Sequence, residues 1–461
     1  MYLHVTFYFY VYFKKAAVMS DSTSWGSRLG FILASAGSAV GLGAIWKFPY
    51  MAGSNGGSVF MLPYIIFTFT VGLAMLISEY AIGRAGRAGP IGSMRKVVGR
   101  YWGFFGGIGM LTAFLILCFY SCVGGWCLKY LVDAVMGKGL ISDAVELNNY
   151  FGSFVSNPVE AYAYQLLFLV LNAAIVVKGV EKGIEAVAKV LMPVLFIMML
   201  ILIVRGLTLP GAWAGVEYLF MPRWEDVTAD TIFNALGFTF FSLSLGAATM
   251  VTYAGYLSEK ANLVTSTAWV AFLAILAAIM GGLMVMPVVF AFNLSPAAGP
   301  GLTFVTMPAI FSQLPFGQLF AILFYLCLFV AAITSSVSML EPMVATFVQE
   351  THYERKATAI GGTVVAAIIG FFCTLSFGPT ADAKLFGKNF FDMLDFLTSN
   401  IGMPVSEIGF SIAAGWMVWK VTERQLTTVK PLSRTVLNVM RFMIAIMAPA
   451  VIITVMVTGL M

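Results

Sequence analysis

Apolar runs separated by short polar stretches fill the chain from Trp25 to its end. They cover 26–53, 58–83, 104–131, 161–178, 187–206, 231–257, 263–292, 317–348, 357–376, 390–419 and 435–460. A helix needs roughly 20 apolar residues to cross a bilayer, so these eleven runs predict eleven transmembrane helices. Their continuity excludes a membrane β-barrel, whose strands alternate with period two. Several runs exceed 25 residues, which predicts tilt or a break in place of one straight helix.

Two runs are interrupted at the same relative depth. In the first, Gly37, Gly41 and Gly43 lie mid-span, with Lys47 and Pro49 behind them. Glycine disfavours helix, although in membrane helices it often only lets neighbours pack closely. In the sixth, Ser242, Ser244 and Gly246 interrupt the apolar pattern. A break frees backbone N–H and C=O groups, which at membrane depth must line a cavity. Interrupted helices at matching positions of two halves point to an inverted-repeat transporter with a site near the midplane.

Composition sharpens this picture. Hydrophobic residues make up 60% of the 461 and charged residues 10%, against roughly 25% charged in soluble domains. Two histidines, His4 and His352, exclude most His-based metal and triad chemistry. No nucleophile–base pair of an enzyme is visible. Cys118, Cys122, Cys127, Cys327 and Cys373 all lie in apolar runs and read as small buried hydrophobes. The net charge of +5 calls for no nucleic-acid partner. With the N-terminus in the cytoplasm, 19 of the 26 Lys and Arg fall on the cytoplasmic side and 7 outside. Positive charge is retained inside, so eleven spans leave the C-terminus outside. In residues 1–18 the apolar stretch precedes Lys14 and Lys15, the reverse of a signal peptide. They read as a loose tail or a mis-assigned start, with Met19 the more natural beginning.

Several motifs occur in order: Gly30–Pro49 containing AVGLG at 39–43, Asn55–Gly57, Pro63–Tyr64, Gly83–Arg84, Ser242–Gly246 followed by TYAGY, and AAITSS at 331–336. Together they resemble the neurotransmitter:sodium symporter family, especially its bacterial amino-acid transporters. The resemblance implies a leucine-transporter-like fold: two inverted five-helix repeats with broken helices 1 and 6, plus one extra C-terminal helix. The expected division is a tail at 1–24, repeats at 25–206 and 231–420 around an outer loop at 207–230, and a loop with helix eleven at 421–461.

The resemblance carries over residue by residue. A second sodium site falls on the carbonyls of Gly37, Val40 and Ala331 and the hydroxyls of Thr334 and Ser335. Such hard oxygens suit a dehydrated alkali cation; the plain alternative is hydroxyls bonding back to their own helix. At the first sodium site the family's two asparagines and threonine are replaced by Ala44, Ala274 and Ser242, leaving only Ser242 and the Ala39 carbonyl. The neighbouring anion position has Ala278 and Phe238 beside the surviving Tyr64 and Ser242. One Na⁺ and no chloride are therefore expected. The substrate pocket maps onto Ser38, Ala39, Leu42, Gly43, Ile116, Tyr120, Phe241, Ser242, Ser244, Ala247, Ser335 and Met339. Gly41 stands where amine carriers place an aspartate, which favours an amino acid, and a helix start beyond the break suits its carboxylate. Tyr120 would donate to the same group, or else simply pack. Ala247 and the pliable Met339 leave room for a large side chain.

Gates follow from the same resemblance. Lys47 and Asp395 stand for the outer ion pair, with Tyr120 and Phe241 as its lid. Inside, Ser22 and Gln349 replace the charged pair, so closure is expected to rest on Trp25 packing with Tyr256. Glu79 reads as a brace for broken helix 6, and Glu341 as a candidate proton acceptor. The expected function is sodium-coupled uptake of a bulky hydrophobic or aromatic amino acid. Its partners would be a small-molecule substrate and the lipid of a bacterial-type inner membrane, for a monomer or loose dimer. The alternatives are a carrier of an aromatic, indole-like compound, sodium-independent or proton-coupled, and a receptor or channel.

Overall fold

The computed structural model describes residues 24–296, 302–351 and 353–460; the expectations for residues 1–18 and for Ser22 lie outside them. In chain order the helices are α1 (Arg28–Ser54), α2 (Ser58–Gly86), α3 (Pro90–Val97), α4 (Arg100–Val135), α5 (Ala144–Ser156), α6 (Pro158–Val177), α7 (Val180–Leu207), α8 (Trp213–Phe220), α9 (Ala229–Ser242), α10 (Thr249–Gly255), α11 (Leu263–Ala291), α12 (Leu302–Gln313), α13 (Gly317–Glu350), α14 (Arg355–Leu375), α15 (Phe390–Met417), α16 (Trp419–Thr427) and α17 (Arg434–Leu460).

Helix is the form an apolar run must take, because it satisfies each backbone group within one segment. Polar residues at the ends fix where each begins. Ser27 caps α1, Asn157 caps α6, Asn262 caps α11 and Ser433 caps α17, each accepting a backbone N–H of its first turn. The five cysteines are buried and unbridged.

Among the described residues nine helices are long and apolar enough to cross a membrane, or ten if α15 and α16, bent by 87°, form one span. The expected count was eleven. The difference lies at 231–257, where the chain is cut into α9 and α10, each too short to cross alone. The chain is a multi-pass membrane protein built from two packed groups. Helices α1, α2, α10 and α11 form one, and α4, α6, α13 and α14 the other. They meet where α1 crosses α13, and the interruptions lie at that crossing.

Candidate functional site

Gly41 has non-helical backbone, φ −27° and ψ −158°, which breaks α1. A side chain at Gly41 would collide with the Ser335 hydroxyl and meet Tyr120 Oη at 3.2 Å, so only glycine lets α1 approach α4 and α13 this closely. Beyond it, Gly43–Lys47 form a π-helical turn. The Leu42 N–H donates to the Tyr120 hydroxyl at 3.3 Å. That use of the phenol oxygen as acceptor leaves its O–H proton for a carboxylate.

The second break runs from Leu243 to Ala248, between α9 and α10. Ser244, Gly246 and Ala248 all have positive φ, at 53°, 76° and 54°. Unwound backbone at this depth needs partners, and Glu79 supplies them. Its carboxylate accepts the N–H of Gly246 at 2.8 Å and of Val251 at 3.2 Å. Glu407 of α15, fully buried, lies against Glu79 and accepts from the Ser78 hydroxyl at 3.4 Å. No local sequence signal singled out Glu407.

The breaks face one pocket. Of the twelve residues expected to line it, eleven do: Ser38, Ala39, Leu42, Gly43, Ile116, Tyr120, Phe241, Ser244, Ala247, Ser335 and Met339. Ser242 does not; it is buried behind the break and its hydroxyl donates to the Thr239 carbonyl at 3.2 Å. Gly41, Thr249, Ser338 and Met403 complete the lining. A chain of hydroxyls crosses the floor, with Ser38 Oγ 3.2 Å from Ser244 Oγ and 2.7 Å from Ser338 Oγ.

Gly37, Val40, Ala331, Thr334 and Ser335 gather where α1 crosses α13, all buried. The Ser335 hydroxyl donates to the carbonyls of Gly37 and Ser38, each at 3.0 Å. Thr334 donates back to Val330 at 3.0 Å and Ala331 at 3.1 Å. A hydroxyl that donates backward keeps its lone pairs for a cation, so the two uses of Thr334 are compatible. The region of Ala44, Ala274, Ala278 and Phe238 is filled differently. All four are buried, and the Phe238 ring packs on Tyr64, Phe48 and Phe60 with centroids 5.0, 5.7 and 5.8 Å away.

The outer pair is not formed. The Lys47 ammonium sits 4.0 Å from the centre of the Phe241 ring, while Asp395 accepts from the Ser399 hydroxyl at 2.9 Å. Attraction to the ring face replaces the expected ion pair.

The inner end departs the other way. Trp25 Nε1 donates to the Tyr253 carbonyl at 2.8 Å, and its ring packs edge-on against Phe31, Tyr253 and Tyr256. An ion pair stands beside it nonetheless. Arg355 forks onto Glu341, Nη1 to Oε1 at 2.9 Å and Nη2 to Oε2 at 2.5 Å, and Tyr256 donates to Glu341 at 2.6 Å. Trp25 packing is therefore not the only tie at this end, and Glu341, expected as a candidate proton acceptor, is paired with Arg355. Glu185 of α7 adds a further tie, accepting from Gly26 N–H at 2.7 Å and Ser27 Oγ at 2.8 Å. Gln349 turns instead to the Gly89 N–H.

The chain matches the model of the sodium:neurotransmitter symporter family over residues 22–140 and 155–461. An uncharacterized sodium-dependent transporter of Bacillus subtilis, YhdH, is 42% identical over 389 residues, 84% of this chain and 86% of that one. A second, from Haemophilus influenzae, is 32% identical over 424 residues, 88% of this chain and 92% of its own. Among solved structures, that of MhsT in complex with L-phenylalanine superposes with a TM-score of 0.87 at 36% identity, covering 95% of this chain and 99% of MhsT. The chain belongs to the sodium:neurotransmitter symporter family: it is a transporter, not an enzyme, with a fold like that of MhsT.

Proposed function

We propose that this chain takes up a bulky hydrophobic or aromatic amino acid by alternating access, coupled to one Na⁺ and without chloride. One observation carries the reading: two backbone breaks face a single pocket with a polar and an apolar pole. At the polar pole, Gly41 and the Tyr120 hydroxyl suit an amino acid carboxylate. At the other, Ala247 and Met339 leave space for a side chain. The L-phenylalanine bound to MhsT supports the same substrate class.

Sodium coupling draws support from the names of the bacterial relatives and from the gathered oxygens of Gly37, Val40, Ala331, Thr334 and Ser335. The apolar packing around Ala44, Ala274, Ala278 and Phe238 argues against a second cation and an anion, since Ser242, Tyr64 and the Ala39 carbonyl are too few oxygens to offset the loss of water. One charge crossing the membrane is worth about 2.3 kcal/mol per 100 mV, enough to concentrate cargo. In this reading the 229–255 stretch and the bent α15–α16 pair each count as one crossing. That gives eleven spans, with the N-terminus in the cytoplasm and the C-terminus outside.

Uptake in proteoliposomes tests it. Accumulation should rise with sodium at a Hill coefficient near one and ignore chloride. Thr334→Ala with Ser335→Ala should abolish the sodium stimulation. A coefficient near two would reject the single ion, and indifference to sodium would reject the coupling. Ala247→Phe should depress uptake of tryptophan and phenylalanine while sparing alanine, because the ring fills the pocket. Equal loss for all three would remove position 247 from size selection.

A further inference from the structure

The inner end of the bundle carries a feature that transport does not use. Between α4, α13 and α14 lies a groove of roughly 530 Å³, open to the outside of the bundle. Its walls are Leu111 and Phe114 of α4 and Met343 and Phe347 of α13, with Gly361 and Val365 of α14 opposite. A Cβ added at Gly361 would meet nothing within 4 Å. The missing side chain there is an unfilled slot and not a packing contact.

A second hollow adjoins the first and shares Leu111 with it. Its rim holds Arg95 of α3 and Arg100 at the start of α4, with the exposed rings of Tyr101 and Phe104 between apolar and charged parts. Arg100 is exposed. Arg95 gives Nη1 to Glu350 at 2.9 Å, both side chains about half exposed, and its stem and Nε lie over Gly103 at the start of α4. Lys96 and Lys356 are exposed at the same end. A carbon-lined slot continuous with a basic lip matches one kind of occupant: an acyl chain joined to an anionic headgroup. Basic hollows between helices on the cytoplasmic face of membrane proteins bind such headgroups.

We infer that the α4–α13–α14 groove is a binding site for an anionic phospholipid, its acyl chain over Gly361 and its phosphate on Arg95 and Arg100. The neutral phospholipid that surrounds any membrane protein fits the slot but not the lip. Position gives the site a consequence. Met343 lies two residues beyond Glu341, and α14 begins at Arg355, so a chain in the groove presses on both helices that carry the inner ion pair.

The test is native mass spectrometry of the full chain in detergent, titrated with phosphatidylglycerol and phosphatidylcholine of identical acyl chains. At about 1 kcal/mol per basic residue, two arginines predict retention of phosphatidylglycerol on the order of thirtyfold stronger. Arg95→Ala with Arg100→Ala should erase that preference. Gly361→Leu should reduce adducts of both lipids and, because nothing opposes its side chain, leave the melting temperature in lipid-free detergent unchanged. Glu350→Gln, which frees Arg95, should strengthen phosphatidylglycerol retention. Equal retention of the two lipids in the wild type would overturn the inference. So would adducts indifferent to the arginine and Gly361 variants, or adducts confined to dimers, which would assign the groove to a second copy of the chain.

Discussion

The two proposed gates differ in their chemistry. The outer end has an ammonium over one aromatic ring, Lys47 on Phe241, and no ion pair to Asp395. The inner end has a forked ion pair between Glu341 and Arg355, a phenol donating into it, and a carboxylate of α7 holding the start of α1. Attraction of a cation to a ring tolerates sliding, whereas a fork of two parallel hydrogen bonds fixes both partners. Of the two proposed gates, the inner one is therefore the more firmly bonded.

The largest effect should come from breaking the fork. Glu341→Gln leaves the Arg355 guanidinium without its counter-ion, a loss of about 3–5 kcal/mol for a buried pair. The expected outcome is a lower melting temperature and faster labelling of a cysteine placed on the inner pathway, with uptake nearly abolished. Unchanged labelling would mean that the fork is not a latch. A smaller effect is expected from Glu185→Gln, which keeps one acceptor for Gly26 but weakens the tie to Ser27 and to Lys189, at about 1–3 kcal/mol. Its labelling should rise less than that of the Glu341 variant; a greater rise would move the principal latch to α7. The smallest effect should be at Lys47. Lys47→Met removes a contact worth about 0.5–1 kcal/mol and should alter uptake by about fivefold or less. If it abolishes uptake as thoroughly as the Glu341 variant, the outer end is latched too and the contrast fails.

What could be read from the sequence depended on how local each feature is. The break at Gly41 and the unwinding after Ser242 are properties of short stretches, and glycine with serine at mid-membrane depth announces them. The pocket residues came instead from the family resemblance, since Ile116, Tyr120 and Met339 lie on other helices. Ser338 was within reach, one turn beyond Ser335 on the same face of α13. Met403 and Glu407 were not, because α15 carries no motif of its own and reaches the site only by packing. The fork was hidden for a similar reason. Glu341 and Arg355 belong to two successive helices, α13 and α14, and only their packing brings the guanidinium onto the carboxylate. The contact of Glu185 with Gly26 spans 159 residues and leaves no trace in either segment.

Glu79 has a consequence of its own. Its carboxylate meets the Gly246 and Val251 amides through the protein's own atoms, so the bent backbone edge of the pocket is rigid before any cargo arrives. Cargo need not order a floppy loop on entering, and the entropy that such ordering would consume is already spent in folding. Glu79→Gln would lose one acceptor and leave an amide wanting. The unwound segment would then wander, and affinity would fall through slower and less faithful capture, although no atom touching the cargo had changed.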